Sequence, residues 1–159
     1  MELKARHRLW AAAALAELIA AEGSQELFLD VSRAGSCAGL VPIPSQPQRL
    51  KERGFNPVIE IGAELAARTG VPLHRRALLA TGIVRPQSEL NSAKSRSENV
   101  RGAFRAGACV PPIALLLDDV LTTGATLREA ASTLKAAGAE RVVAVCAARA
   151  VTADLRGER

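Results

Sequence analysis

An apolar run that ends in two acidic residues is the most informative stretch of this sequence. Residues 113–126 read I-A-L-L-L-D-D-V-L-T-T-G-A-T, and apolar residues then recur at three- and four-residue spacing from Leu127 to Leu134. A continuous apolar run is typical of a strand that is buried on both faces, as in a parallel sheet, whereas the later spacing is typical of a helix. The pattern therefore predicts a strand, a short loop and a helix.

The same reading predicts the other elements of the chain. Helices are predicted over 3–21 and 57–68, and after the central loop to about 137; strands are predicted over 27–31, 40–44, 71–73, 77–80 and 141–148. In the helix over 57–68, the residues expected to face inward are Ile59, Gly62, Ala63 and Ala66. Alternation of strands and helices indicates an α/β fold with a mostly parallel twisted sheet and helices on both faces. The polar stretch 81–105 is predicted to be a long flexible loop.

Length and composition favour a single domain. The 159 residues, of which 48% are hydrophobic, suit one domain over 1–150 and a charged C-terminal tail over 151–159. The apolar run 9–16 is too short to span a bilayer, so the expected localisation is cytoplasmic. Three cysteines lie far apart without a C-x-x-C pair, and we expect each to be a small buried or half-buried apolar residue: Cys37, Cys109 and Cys146.

The loop after the central strand has the composition of a phosphate site. It lies before a helix N-terminus, where free backbone N–H groups and the helix dipole favour an anion. Glycine permits a tight bend, and the hydroxyl groups add donors; the loop residues are Thr122, Thr123, Gly124, Ala125 and Thr126. Asp118 and Asp119 end the strand, and carboxylates accept hydrogen bonds from sugar hydroxyls or bind a divalent cation. Together these groups predict a ribose 5-phosphate site.

A second basic segment precedes the helix over 57–68. Residues 45–56 carry Arg49, Lys51 and Arg53 in what the sequence predicts to be a glycine-containing loop, and Asn56 is the predicted helix N-cap. The net charge of the chain is +5. Positive charge of this kind suits small anionic substrates as well as nucleic acid, and the segment is either a second anion site or a solvated basic turn.

Several motifs resemble those of known proteins. The stretch D-D-V-L-T-T-G-A-T resembles the phosphoribosyl pyrophosphate (PRPP) motif of type I phosphoribosyltransferases. With V-P-I-P, R-L-K-E-R-G-F-N, P-Q-S-E-L and R-S-E-N-V, it resembles the ComF family of competence proteins. The resemblance implies a type I phosphoribosyltransferase-like fold and a PRPP site with Mg²⁺. Pro57 stands where the family usually has glutamine, and the family's four-cysteine zinc motif does not occur in this sequence.

The resemblance also implies roles for individual residues. Asp118 and Asp119 would be the catalytic acids that hold the ribose hydroxyls and reach Mg²⁺, and the loop 122–126 would hold the 5-phosphate. Arg53 and Gly54 would contact the pyrophosphate. Residues of the flexible loop would close over it: Gln87, Lys94, Arg96, Asn99 and Arg101.

Three functions follow as hypotheses. The first is a ComF-like protein that handles imported single-stranded DNA during natural transformation, together with DNA-processing proteins. The second is a phosphoribosyltransferase of nucleotide salvage, which would transfer phosphoribosyl from PRPP to a base. The third is a regulator that binds PRPP without turning it over. Aromatic residues make up only 3% of the chain, so few side chains can stack on bases. This composition disfavours a protein that binds single-stranded DNA strongly without other proteins. A homodimer is left open.

Overall fold

The computed structural model of this chain describes residues 2–21, 25–82 and 100–149. The helices in these ranges are α1 (Glu2–Ala21), α2 (Gln25–Arg33), α3 (Pro47–Arg53), α4 (Pro57–Thr69) and α5 (Ala125–Ala136), with a 3-10 turn over Gly35–Cys37. The strands are β1 (Ala38–Pro42), β2 (Leu78–Ala80), β3 (Phe104–Ala106), β4 (Ile113–Leu121) and β5 (Arg141–Arg149).

Strand β4 lies at the centre of a parallel three-stranded sheet. The strand order is β1-β4-β5, with Leu40 opposite Leu115 on one side of β4 and Val145 opposite Leu117 on the other. Strands β2 and β3 form a separate antiparallel pair. Residues 114–117 of this apolar run are fully buried because both edges of β4 are paired and both of its faces are covered. The predicted α/β class is confirmed, and the arrangement is consistent with a type I phosphoribosyltransferase-like fold.

Helices cover both faces of the sheet. Leu115 and Leu117 of β4 pack in one cluster with residues of α1, α2 and α4. Ala114 and Leu116 point to the opposite face, where they pack with α5 and with the β2–β3 pair. Since successive side chains of a strand point to opposite faces, β4 contributes to both clusters. Each fully buried leucine adds on the order of 2 kcal/mol of favourable transfer free energy. The two clusters together fix the position at which β4 ends.

Three predicted elements were wrong. The strand predicted over 71–73 does not form, because only Leu73 pairs there, in an isolated bridge with Leu40. Residues 27–31, predicted to be a strand, lie within helix α2: Phe28 and Val31 are buried, and Leu29 between them is 56% exposed. This spacing of three buries one face of a helix against α1 and α4. Residues 45–56 are not a continuous loop, because α3 occupies most of them, with Pro47 in its first turn and Gly54 in the left-handed conformation after its last residue.

The inward face of α4 also differs from the prediction. Of the four expected residues only Gly62 is buried; the residues buried in this helix are Val58, Ile61, Gly62 and Leu65. The helix therefore turns its branched side chains, rather than its alanines, toward the sheet. Two of the three cysteine predictions were wrong as well: Cys37 and Cys109 are exposed, and only Cys146 is half-buried.

Candidate functional site

The two acidic residues lie near the carboxyl end of the central strand, but they do not end it as predicted, because β4 continues two residues beyond Asp119 to Leu121. Asp118 pairs in register with Cys146 of β5, and Leu117, one residue earlier, pairs with Pro42 at the end of β1. The segment that leads from β1 to α3 therefore leaves the sheet beside the acids. In open α/β sheets this carboxyl edge is where ligands bind. The fold places Asp118 and Asp119, both half-buried, at that edge.

Each carboxylate is oriented by a hydrogen bond from a neighbouring backbone N–H. The backbone N–H of Asp119 donates to Oδ1 of Asp118 at 3.0 Å, and the N–H of Val120 donates to Oδ1 of Asp119 at 2.8 Å. The two carboxyl groups also lie close enough to share a side-chain hydrogen bond when Asp118 is protonated. These local contacts orient both side chains, whose oxygens can accept hydrogen bonds from a ligand or coordinate a cation.

Burial perturbs the titration of this pair. The pKa of Asp118 is raised from 3.8 to about 6, first because the carboxyl is partly withdrawn from water and then because Asp119 carries a like charge; the hydrogen bond from the N–H of Asp119 opposes this rise. The pKa of the Cys146 thiol is also raised, mainly by burial and then by the charges of the two acids. A perturbed carboxyl at the carboxyl edge of a parallel sheet fits a functional role.

The raised pKa of Asp118 predicts how stability depends on pH. The unfolded chain loses this proton near pH 4 and the folded chain near pH 6, so the free energy of unfolding falls as pH rises through this window. Because the carboxyl is partly exposed, the loss is about 1–2 kcal/mol.

Asp118→Asn should remove this loss of stability, and the variant should gain stability relative to the wild type between pH 4 and pH 7 in urea unfolding. As a control, Asp30→Asn removes a carboxyl that is 77% exposed. Equal pH dependence of wild type and Asp118→Asn would contradict the assignment.

The loop after β4 bends at a glycine before α5 begins. Gly124 has φ +71°, a left-handed conformation that favours glycine, and its carbonyl accepts the first helical bond, from Arg128 N–H at 2.9 Å. Thr122 and Thr123 are exposed, and Oγ1 of Thr123 accepts a hydrogen bond from Ala125 N–H at 3.4 Å. The predicted loop extends to Thr126, but the helix already begins at Ala125. Ala125 and Thr126 therefore belong to the first turn of the helix. Backbone N–H groups in that turn have no acceptor within the helix.

Arg128 is a feature of this loop that the sequence reading missed. Its Nη1 lies 3.3 Å from the position that a Cβ on Gly124 would take, so the guanidinium packs against the bend of the loop. Side chains of a helix lean toward its N-terminus, which explains why an arginine four residues after the glycine reaches back to it. A cation here opposes the helix dipole and adds to the positive potential in front of the helix. The signal in the sequence was the spacing of four residues.

The predicted pyrophosphate residues lie at the end of a helix instead of in a loop. Arg53 is the exposed last residue of α3, where a cation complements the helix dipole, and Gly54 follows with φ +75°. Asn56 is buried; its Nδ2 donates to Ile43 O at 2.9 Å, and its Oδ1 accepts from Val58 N–H at 3.0 Å. Asn56 therefore caps α4 as predicted and also ties that cap to the end of β1.

A turn at 100–103 connects the remaining parts of the site. The N–H of Gly102 donates to Glu129 Oε1 on α5 at 2.7 Å, and Thr81 Oγ1 donates to Gly102 O at 2.7 Å. A methyl group built on Gly82 would lie 3.6 Å from Cγ of Pro47, at the start of α3. The two hydrogen bonds thus link the turn to α5 and to the segment that follows β2. Arg101 is exposed in the turn. Four further predicted residues lie outside the described part of the chain: Gln87, Lys94, Arg96 and Asn99.

Two structural observations bear on metals and membranes. Within the described ranges, no group of three or more histidine, cysteine, aspartate and glutamate side chains is arranged to hold a metal ion. The described helices include none with both the length and the apolar character that a bilayer span requires.

Comparison with known proteins identifies relatives of this chain. Competence protein ComFC of Streptococcus pneumoniae is 32% identical over 106 residues, which cover 64% of this chain and 44% of that protein. DNA utilization protein YhgH, from Salmonella typhi and from Salmonella typhimurium, is 32% identical over 155 residues, which cover 93% of this chain and 64% of the relative. The chain thus spans less than two thirds of the length of these curated relatives. No protein-family profile matches it.

Proposed function

We propose that this chain, which belongs to the ComF family, takes part in the use of imported DNA and does so through a ribose-phosphate site at the carboxyl edge of its sheet. Relatives named for competence and for DNA utilization support the first half of the proposal. The second half rests on one observation: two adjacent carboxylates, each oriented by a backbone N–H, are followed, within one short loop, by the N-terminus of a helix.

The chemistry of this arrangement suits PRPP. Carboxylates accept hydrogen bonds from the two ribose hydroxyls, and the exposed N–H groups of the first helical turn suit the 5-phosphate. The guanidinium of Arg128, against the loop, adds a cation that suits the same phosphate. Arg101 and Arg53 are exposed cations on segments that lead to this edge, and they suit the pyrophosphate.

The donor set also fits Mg²⁺ in part. Asp118 and Asp119 offer two carboxylate oxygens, which are the hard ligands that this ion prefers. Two protein oxygens leave most of an octahedral shell to water and to phosphate oxygens of the ligand. Bound Mg²⁺ would supply charge neutralisation at the pyrophosphate, while the protein groups orient the ribose.

A test of the DNA role uses transformation frequency in the organism that encodes this chain. Three strains are compared: one intact, one with the gene deleted, and one carrying Asp118→Asn with Asp119→Asn at normal protein level. We expect both altered strains to transform at least about tenfold less often than the intact strain. If the protein acts through this site, loss of the site should have the same effect as loss of the protein.

The outcomes separate the hypotheses. Unchanged transformation in the deletion strain would refute the DNA role, and release of pyrophosphate from PRPP with a panel of bases would then test nucleotide salvage. A defect in the deletion strain alone would show that the acids are dispensable for DNA handling. A defect in both strains, without pyrophosphate release in vitro, would favour a binding role for the site.

A further inference from the structure

Glu129 holds together two parts of the candidate site that are 27 residues apart in sequence. Its Oε1 accepts the N–H of Gly102 at 2.7 Å, and Gly102 directly follows Arg101. Glu129 lies one helical turn after Ala125, the first residue of α5. Because helical side chains lean toward the N-terminus, its carboxylate lies over the first turn of the helix. The hydrogen bond therefore fixes the Arg101 turn beside the loop that precedes α5.

Thr81 also holds this turn, through two hydrogen bonds to its backbone carbonyls. Thr81 donates from Oγ1 to Gly102 O at 2.7 Å and from its N–H to Ala103 O at 2.9 Å. Gly102 thus has its N–H and its carbonyl held by two different segments. Among the described residues Glu129 forms no ion pair. Its carboxylate therefore acts on the turn through the hydrogen bond that it accepts from Gly102 N–H.

We propose that Glu129 is a positioning residue that sets the distance between the phosphate loop at 122–126 and Arg101, and so determines how well the site holds a second phosphoryl group beyond the 5-phosphate. Arg128 already supplies a cation at the loop itself, whereas Arg101 is carried on the turn that Glu129 fixes. A ribose ligand with only a 5-phosphate would use the loop and the two acids but not Arg101. A ligand with an additional pyrophosphate would need both parts at the correct separation. This inference rests on the proposed ribose-phosphate site.

The test compares two ligands by isothermal titration calorimetry: PRPP with Mg²⁺, and ribose 5-phosphate. We expect Glu129→Ala to weaken PRPP binding at least about tenfold, as for loss of one charge-assisted hydrogen bond, and to leave ribose 5-phosphate binding within about twofold. Glu129→Gln keeps an oxygen acceptor and should retain most of the PRPP affinity. Arg101→Ala should match Glu129→Ala, and the double variant should be no weaker than Arg101→Ala alone.

A matched control removes the same charge elsewhere. Glu140 is exposed just before β5, at the opposite edge of the sheet, and Glu140→Ala should bind both ligands as the wild type does. Equal weakening of both ligands by Glu129→Ala, no weakening of either, or additive effects of the Glu129 and Arg101 changes would overturn the inference. If the wild type binds neither ligand, the proposed site itself fails, and the inference fails with it.

Discussion

Replacement of both Asp118 and Asp119 by asparagine is expected to weaken PRPP binding by about 100-fold or more. Each carboxylate is oriented by a backbone N–H that donates to its Oδ1. Loss of two hydrogen bonds with charged acceptors costs roughly 3 kcal/mol in binding, which corresponds to about two orders of magnitude. Calorimetric titration of PRPP with Mg²⁺ near pH 7.5 measures the effect. In the wild type, affinity should rise with pH through about 6 as Asp118 loses its proton.

The double variant should remain folded. Asparagine has nearly the shape of aspartate, and its carbonyl can still accept the backbone hydrogen bond. Burial already disfavours the ionised form of Asp118, so its replacement removes a penalty at neutral pH. Asp30→Asn, on the exposed face of α2, serves as a control for the loss of a negative charge. Binding by the folded double variant within about threefold of the wild type would show that the acids do not hold the ligand.

Gly107→Ala is expected to have the largest effect on folding. A Cβ at this position would overlap the backbone carbonyl oxygen of Arg76, and Gly107 N–H donates to Ala77 O at 2.9 Å. A side chain can rotate away from a clash, but here the backbone itself would have to move. That movement would disturb the β2–β3 pair, whose Leu78 and Phe104 pack in the cluster below α5. We expect a loss of about 3 kcal/mol in the free energy of unfolding, measured by urea titration.

Gly138→Ala provides the matched control for that measurement. It adds the same methyl group after α5, where a Cβ would meet nothing within 4 Å, although φ is +103°. Only backbone strain should appear, at a cost of about 1 kcal/mol. The difference between the two variants therefore reports the overlap with Arg76. A smaller loss for Gly107→Ala than for Gly138→Ala would contradict this account of the β2–β3 region.

The sequence by itself determined the elements whose causes are local. Strand β4, its two acids, the loop and α5 occupy one contiguous stretch, and the pattern predicted each of them because a buried strand, a glycine bend and an amphipathic helix have short-range signatures. Helix α4 was predicted for the same reason, since Pro57 and the capping Asn56 mark its start. Parallel pairing followed from the alternation of strands with helices.

Tertiary structure decided the features that depend on residues distant in sequence. The segment L-F-L-D-V at 27–31 suits either a strand or a helix, and packing against α1 and α4 selected the helix α2. The pKa of Asp118 depends on burial at the sheet edge, and the closeness of Gly107 to Arg76 depends on the path of two segments. The bonds from Gly102 to Thr81 and Glu129 join residues 21 and 27 positions apart. No local pattern encodes such pairs, because their geometry exists only once the sheet and its two covering layers have formed.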